Sequence, residues 1–138
     1  MLNNPQSMSA VRACIDTPFH HQGRSPGVGI DCIGLIIIAM IAANIKVNDR
    51  TDYGRRPDKD SLINALEEHG ATPIEKEAAR AGDVLVFRYD NQPQHVALAT
   101  SENTMIHSFA PAGKVVETHM GDYWKRRIVT AYRFESQI

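Results

Sequence analysis

The N-terminal half of the chain places its apolar residues at helical spacing. Met8, Val11 and Ile15 recur every three or four positions, and they are followed by Pro18, a residue that does not continue a helix. Two further helical segments come later, and Gly70 is placed to end the second of them. Helices are therefore predicted over residues 7–16, 32–46 and 59–68.

The second predicted helix is apolar on nearly every side. It is too long for an ordinary strand, and Asp31 directly before it can cap its first turn, so the pattern indicates a buried helix. A buried strand at residues 36–38 is the alternative, because isoleucine favours sheets. Residues 18–29, rich in Gly, Pro and His, precede the helix and predict an ordered loop.

The C-terminal half changes to short segments rich in Val, Ile, Phe and Tyr, separated by turn residues. Strands are predicted over residues 83–89, 95–100, 104–109, 114–118 and 127–134. Because helices come first and an antiparallel meander follows, the predicted class is α+β rather than a parallel sheet.

Length and charge narrow the functional classes. The 138 residues suit a single domain, 1–138, with a hydrophobic core of its own. With 15 basic and 16 acidic residues the net charge is −1, so neither nucleic acid nor an anionic membrane surface is an expected partner. The longest apolar run, residues 33–43, is about half of the roughly 20 residues that cross a bilayer, and no membrane span is predicted.

Cys32 stands where a glycine-rich loop meets the apolar helix. A thiol in a first helical turn faces unpaired backbone N–H groups and the positive end of the helix dipole, and both favour the thiolate, which is the nucleophilic form. The same N–H groups can stabilise an oxyanion that forms on a substrate carbonyl. The alternative is that Cys32 is a small buried hydrophobic residue, as free cysteines usually are. Position alone leaves both interpretations open.

A nucleophilic thiol needs a base, and two histidines share one predicted hairpin. His95 and His107 are equidistant from Ser101, the middle of the predicted turn, so a hairpin centred there brings them opposite or nearly opposite each other on one face. Directly paired residues of antiparallel strands have Cβ atoms about 5 Å apart, which lets one imidazole orient the other. The alternative for each histidine taken singly is an ordinary core or surface residue.

The order of cysteine, histidine and a second polar residue is that of papain-like enzymes. Several motifs in sequence resemble the NlpC-type family of cell-wall cysteine peptidases, most closely the branch found in bacteriophage tail modules and prophages. They are Thr-Pro-Phe-His-His-Gln-Gly (17–23), Gly-Ile-Asp-Cys-Ile-Gly-Leu (29–35), Ala-Gly-Asp-Val-Leu-Val-Phe (81–87), Gln-His-Val-Ala (94–97) and Met-Ile-His-Ser (105–108). The resemblance extends over residues 9–134, nearly the whole chain.

The resemblance implies a minimal papain-like fold, with the N-terminal helices packed on an antiparallel sheet of about five strands. It also implies hydrolysis of peptide bonds in the stem peptides of bacterial peptidoglycan, often between D-γ-glutamate and a diamino acid. By matching motif, Cys32 is the nucleophile, His95 the general base and His107 the residue that orients the base. His21 matches a position where much of the family has a tyrosine that assists the oxyanion hole, so its ring N–H is a candidate donor or lines the groove. The resemblance calls for no metal and no organic cofactor.

Other functions remain open on the sequence. The chain could be a structural component of phage tail assembly with little or no hydrolase activity, and other tail proteins are then its partners. A metal site on Cys32, His95 and His107 has only three ligands and lacks the spacing of zinc motifs. The first residues show no secretory signal, so synthesis in the bacterial cytoplasm and delivery to the cell wall by a phage or prophage particle are expected.

Overall fold

The computed structural model describes residues 2–49, 61–89 and 92–134 of the chain. Its helices are α1 (Pro5–Arg12), α2 (Cys32–Ala42), α3 (Ser61–Glu68) and α4 (Asp122–Lys125). Its strands are β1 (Arg24–Ser25), β2 (Gly29–Ile30), β3 (Ala71–Ile74), β4 (Val84–Tyr89), β5 (Gln92–Ala99), β6 (Thr104–Phe109), β7 (Lys114–His119) and β8 (Ile128–Phe134).

The main sheet has six strands in the order β3-β8-β4-β5-β6-β7, and every neighbouring pair is antiparallel. The predicted α+β class with helices on an antiparallel sheet is therefore confirmed, but the predicted number of about five strands is too low. The additional strand is β3, which pairs with β8 at the sheet edge. It contains Pro73, a residue that sequence patterns count against a strand and that is tolerated at an edge.

The helices differ from the prediction mainly at their ends. α1 begins at Pro5 because Asn4 caps it, its side chain accepting a hydrogen bond from the Ser7 N–H at 2.8 Å, and the helix ends at Arg12 rather than at residue 16. α2 ends at Ala42 rather than at residue 46. The alternative of a strand at residues 36–38 is wrong, since they lie inside α2. The predicted start of the third helix, at residues 59 and 60, lies outside the described residues.

The segment predicted as a loop over residues 18–29 contains local strand pairing. β1 and β2 form a small hairpin, with Arg24 opposite Ile30 and Ser25 opposite Gly29. This hairpin leads directly into Asp31 and α2. The loop is thus an ordered support for the start of the buried helix.

The sheet separates two apolar clusters. The larger lies between the sheet and the N-terminal helices, where α2 packs against α1, β5 and β6. Inside it Ser7 Oγ donates a 2.7 Å hydrogen bond to the Ala39 carbonyl, which joins α1 to α2. The smaller cluster, hereafter the aromatic cluster, includes Phe87, Trp124 and partly buried Tyr89 and Phe109. Within the part of the chain that the structure describes, no helix combines the length and hydropathy needed to cross a membrane.

Candidate active site

Cys32 is the first residue of α2, and Asp31 is the N-cap residue of that helix. The Asp31 carboxylate is buried and accepts hydrogen bonds from three donors on different segments: the Gly34 N–H at 2.8 Å, the Gln22 N–H at 2.9 Å and Arg24 Nη1 at 3.1 Å. The predicted capping role of Asp31 is confirmed. Asp31 thus fastens the preceding loop to the first turn of the helix that carries the thiol.

The loop lies close against the helix at Gly34. A Cβ atom at this position would meet the Gly23 carbonyl oxygen, so glycine is required by the contact between the two backbones. Arg24 Nη1 also donates to the Gly23 carbonyl at 3.0 Å, while its Nε binds Asp49. The loop that holds His21 therefore contacts the chain both before Cys32, at Asp31, and after it, at Gly34.

The thiol is placed where two strands separate. The pairing of β5 with β6 consists of Leu98 opposite Ile106 and Ala99 opposite Met105. Toward the start of β5 the strands no longer pair, and the Val96 N–H contacts the sulfur of Cys32. Ser108 Oγ on β6 donates a buried 2.6 Å hydrogen bond to the Ile30 carbonyl, two residues before Cys32. The start of α2 is thereby attached to both strands of the histidine hairpin.

His95 and His107 form a direct hydrogen bond. Nε2 of His95 lies 2.8 Å from Nδ1 of His107, and their ring centroids are 5.0 Å apart. The register of the hairpin is centred one residue beyond Ser101, because Leu98 pairs with Ile106. The two histidines are therefore diagonal neighbours on one face rather than directly opposite, as the range of the prediction allows.

The hydrogen-bonded chain continues to a residue that the sequence did not indicate. Nε2 of His107 lies 3.0 Å from Thr118 Oγ1 on β7. Thr118 has no motif around it, and its contact depends on the register of β6 with β7, in which His107 pairs with Val116. The only signal in the sequence is that Thr118 would be a diagonal cross-strand neighbour of His107 if the register of the β6–β7 hairpin were known.

Both imidazoles are packed among aromatic rings. The His95 ring centroid lies 5.8 Å from that of Phe87, 5.6 Å from that of Phe109 and 6.1 Å from that of Trp124. His107 stacks on Phe109 at 5.0 Å and meets the edge of Trp124 at 5.1 Å. His107 is fully buried and His95 nearly so. This packing restricts the orientation of the rings and removes them from water.

Burial is the largest influence on the pKa values of His95, His107 and Cys32. It lowers the pKa of His95 to about 3, with the neighbouring His107 contributing, and lowers the pKa of His107 to about 4. Cys32 keeps some solvent exposure, yet burial of its thiol and then the charge of Asp31 raise its pKa to about 12. The N–H groups of Val96, Ile33 and Cys32 act in the opposite direction.

These values correct one expectation from the sequence. The helix start was expected to favour the thiolate, and its backbone N–H groups do lower the pKa of Cys32, but desolvation is the larger effect. At neutral pH the resting site holds a neutral thiol and neutral imidazoles. Among residues 2–49, 61–89 and 92–134, no group of three or more His, Cys, Asp or Glu side chains is arranged to hold a metal ion.

Comparison with known proteins agrees with the sequence motifs. A model of the NlpC/P60 family matches residues 16–133. Murein DD-endopeptidase MepH of Escherichia coli (strain K12) is 26% identical over 133 residues, which cover 92% of this chain and 44% of MepH. The chain thus spans less than half the length of that relative.

Solved structures show the same fold. The NlpC/p60 domain of the peptidoglycan hydrolase SagA superposes with a TM-score of 0.64 at 23% identity, covering 94% of this chain and 97% of that domain. RipD of Mycobacterium tuberculosis, a non-catalytic NlpC/p60 domain protein adapted to peptidoglycan binding, superposes with a TM-score of 0.65 at 16% identity and 97% coverage of both chains. At these identities the likeness is one of fold.

Proposed function

Because the chain belongs to the NlpC/P60 family, we propose that it is a cysteine peptidase that hydrolyses peptide bonds in the stem peptides of peptidoglycan, between D-γ-glutamate and the diamino acid. The observation that carries this proposal is the chain from His95 to His107 to Thr118, which lies beside the strand separation where Val96 contacts the Cys32 sulfur. Such an arrangement suits proton transfer from a thiol to an oriented base.

In the proposed mechanism Cys32 gives its proton to the ring nitrogen of His95 that is not bonded to His107. Nε2 of His95 is engaged by His107, so Nδ1 remains for Cys32. For Nδ1 to accept a proton, His95 carries its hydrogen on Nε2 and donates it to Nδ1 of His107. His107 then donates from Nε2 to the Thr118 hydroxyl. One tautomer of each ring satisfies the whole chain.

The reaction proceeds in two halves. The Cys32 sulfur attacks the scissile carbonyl carbon while its proton passes to Nδ1 of His95, so no free thiolate has to persist in the buried site. The Cys32 backbone N–H stabilises the oxyanion, and His95 returns the proton to the leaving amine as the C–N bond breaks. A water molecule, deprotonated by His95, then attacks the thioester and releases the acid and the thiol.

Removal of the sulfur tests the activity. Cys32→Ala should abolish release of stem-peptide fragments from purified peptidoglycan, since the substitution removes the nucleophile, while circular dichroism and thermal unfolding stay as in the unchanged protein. Mass spectrometry of the products identifies the bond that is cut. Cys14→Ala is the matched control: it removes the other thiol, which is buried and binds the Ala10 carbonyl. Equal turnover by the Cys32 variant would refute the proposal.

A second candidate function is peptidoglycan binding without hydrolysis. The neutral, largely buried thiol favours it, because a pKa of about 12 makes Cys32 a weak nucleophile unless His95 takes its proton. The same two proteins distinguish hydrolysis from binding. If the unchanged protein and the Cys32→Ala variant bind insoluble peptidoglycan equally and neither releases fragments, the binding function is supported.

The setting in a phage or prophage particle is a further part of the proposal. Its support is the similarity of the sequence motifs to the tail branch of the family. Proteomic analysis of purified particles should detect this chain together with tail proteins, and Cys32→Ala particles should assemble normally but digest the wall poorly. Normal digestion by such particles would favour a structural role in the tail.

A further inference from the structure

The backbone carbonyl of Ile30 joins the segments that carry the candidate site residues. It accepts a buried 2.6 Å hydrogen bond from Ser108 Oγ and a 3.2 Å hydrogen bond from the His20 N–H. Ile30 ends β2, two residues before Cys32. Ser108 directly follows His107 in β6, and His20 lies in the loop before β1. One peptide group therefore connects the loop, the start of α2 and a strand of the histidine hairpin.

β6 presents His107 and Ser108 to opposite faces of the sheet, as successive residues of a strand do. His107 stacks on Phe109 of the aromatic cluster, whereas Ser108 reaches Ile30 in the helix-facing core. One short stretch of strand thus holds the histidine pair on one face and the start of α2 on the other. The position of Cys32 relative to the imidazoles therefore depends on this attachment.

Among the described residues, the ladder between β5 and β6 stops before it reaches the two histidines. Its last pair toward them is Leu98 with Ile106. His95 and His107 are instead joined by the 2.8 Å hydrogen bond between their rings. Where a ladder stops, the backbone has fewer hydrogen bonds to resist movement, so side-chain bonds matter more for local rigidity. Ser108 supplies such a bond at this point.

Proton transfer from a thiol to an imidazole needs heavy atoms at about 2.6–3.2 Å, directly or through one water, and a misplacement of about 1 Å can cost about 100-fold in rate. We propose that Ser108 is a positioning residue, whose hydroxyl binds the Ile30 carbonyl and thereby holds Cys32 within reach of His95. This inference rests on the proposed peptidase function and deepens it. It assigns a role in the reaction to a side chain that contacts neither the thiol nor the imidazoles.

The test compares two buried serines that each donate to a backbone carbonyl. Ser7 Oγ binds the Ala39 carbonyl at 2.7 Å, in the second half of α2 and away from its start. Ser108→Ala should lower kcat on soluble peptidoglycan fragments about 10- to 100-fold with KM little changed, because the nucleophile is misplaced. Ser7→Ala loses the same kind of bond and should keep the kcat of the unchanged protein. Since the Ile30 carbonyl retains the His20 N–H, Ser108→Ala should fold.

Hydrogen–deuterium exchange supplies a readout that does not require activity. Backbone amides of residues 29–35 should exchange faster in Ser108→Ala than in the unchanged protein, because the helix start has lost an attachment. In Ser7→Ala these amides should exchange as slowly as in the unchanged protein. If Ser108→Ala does not fold, Ser108→Thr and Ser108→Val make the same comparison, since the two side chains have nearly the same shape and only threonine has the hydroxyl.

Each result decides a different statement. A loss of kcat confined to Ser108→Ala, or to the valine member of the second pair, together with faster exchange over residues 29–35 supports the positioning role. Equal kcat in Ser108→Ala and Ser7→Ala, equal kcat in the threonine and valine variants, or unchanged exchange over these residues overturns it and leaves the peptidase function standing. If the unchanged protein releases no products, the proposed function fails and the role in catalysis fails with it, while the exchange rates still show whether Ser108 holds the helix start.

Discussion

Thr118 completes the hydrogen bonds of His107 with one side-chain hydroxyl, so a single substitution can remove this contact. Its Oγ1 lies 3.0 Å from Nε2 of His107, the nitrogen that must carry a proton if Nδ1 is to accept from His95. Without the hydroxyl, the tautomer of His107 that carries its hydrogen on Nε2 loses the hydrogen bond that stabilises it. Thr118 is thus a positioning residue in the proposed mechanism.

Thr118→Val should lower kcat about 5- to 150-fold, the equivalent of about 1–3 kcal/mol for an unpaired buried N–H, with KM little changed. Thr118→Ser restores the hydroxyl and should recover most of the activity. The pH dependence of kcat/KM supplies a second readout, because a purely structural effect would lower activity equally at every pH. Full activity in the valine variant would contradict the positioning role.

At the scale of one element, the buried carboxylate of Asp31 has two opposite effects at the start of α2. It holds the backbone in place, and it disfavours the thiolate form of Cys32. Asp31 holds Gln22, Arg24 and Gly34 together, yet its charge raises the pKa of the thiol beside it. Arg24 is paired with this carboxylate and lies between it and Asp49. The carboxylate that fixes the geometry of the helix start is therefore also a charge that disfavours a free Cys32 thiolate.

Asp31→Ala should lower the free energy of unfolding by about 3 kcal/mol, since it removes an N-cap and one partner of a buried ion pair. Asp31→Asn keeps an oxygen for the Gly34 N–H and should lose less. In the asparagine variant iodoacetamide should also alkylate Cys32 faster at neutral pH, because a negative charge that raises the pKa of the thiol is gone. Equal stability of the alanine and asparagine variants would show that the cap is unimportant.

At the scale of the whole molecule, the two buried neutral histidines make the stability of the fold depend on pH. Folding lowers the pKa of His95 to about 3 and that of His107 to about 4, whereas both titrate near 6.5 in the unfolded chain. Between these values the unfolded chain binds more protons, so stability is greatest above about pH 6.5 and falls as pH decreases through that window. Acid therefore acts on the fold through the same residues that are proposed to act on the substrate.

Thermal unfolding should detect this linkage as a Tm that decreases from pH 7 to about pH 4.5. His107→Gln should show a shallower decrease, because one of the two buried titrating rings is absent. His119→Gln changes an exposed histidine and should keep the full pH dependence. A Tm that is independent of pH in this range would mean that the imidazoles are not buried in solution as the structure places them.

The prediction of the fold succeeded where a local pattern was sufficient. Family membership and the α+β class are confirmed, and the predicted cap of α2 at Asp31 lies where the structure has it. β3 was missed because its pairing with β8 depends on residues about 60 positions away, and its own sequence, with Pro73, opposes a strand. The roles of Cys32, His95, His107 and His21 remain predictions, and so does the phage setting.

The sequence by itself determined that a thiol begins a buried helix and that His95 and His107 share one face of a hairpin, because helix starts and the two-residue period of strands are properties of adjacent residues. The tertiary structure decided the rest: the register that brings Thr118 to His107, the separation of β5 from β6 beside Cys32, and the neutral state of the thiol and the imidazoles. The physical reason is that burial, the largest influence on each of these pKa values, is produced by rings and strands that are distant along the chain and meet only after folding.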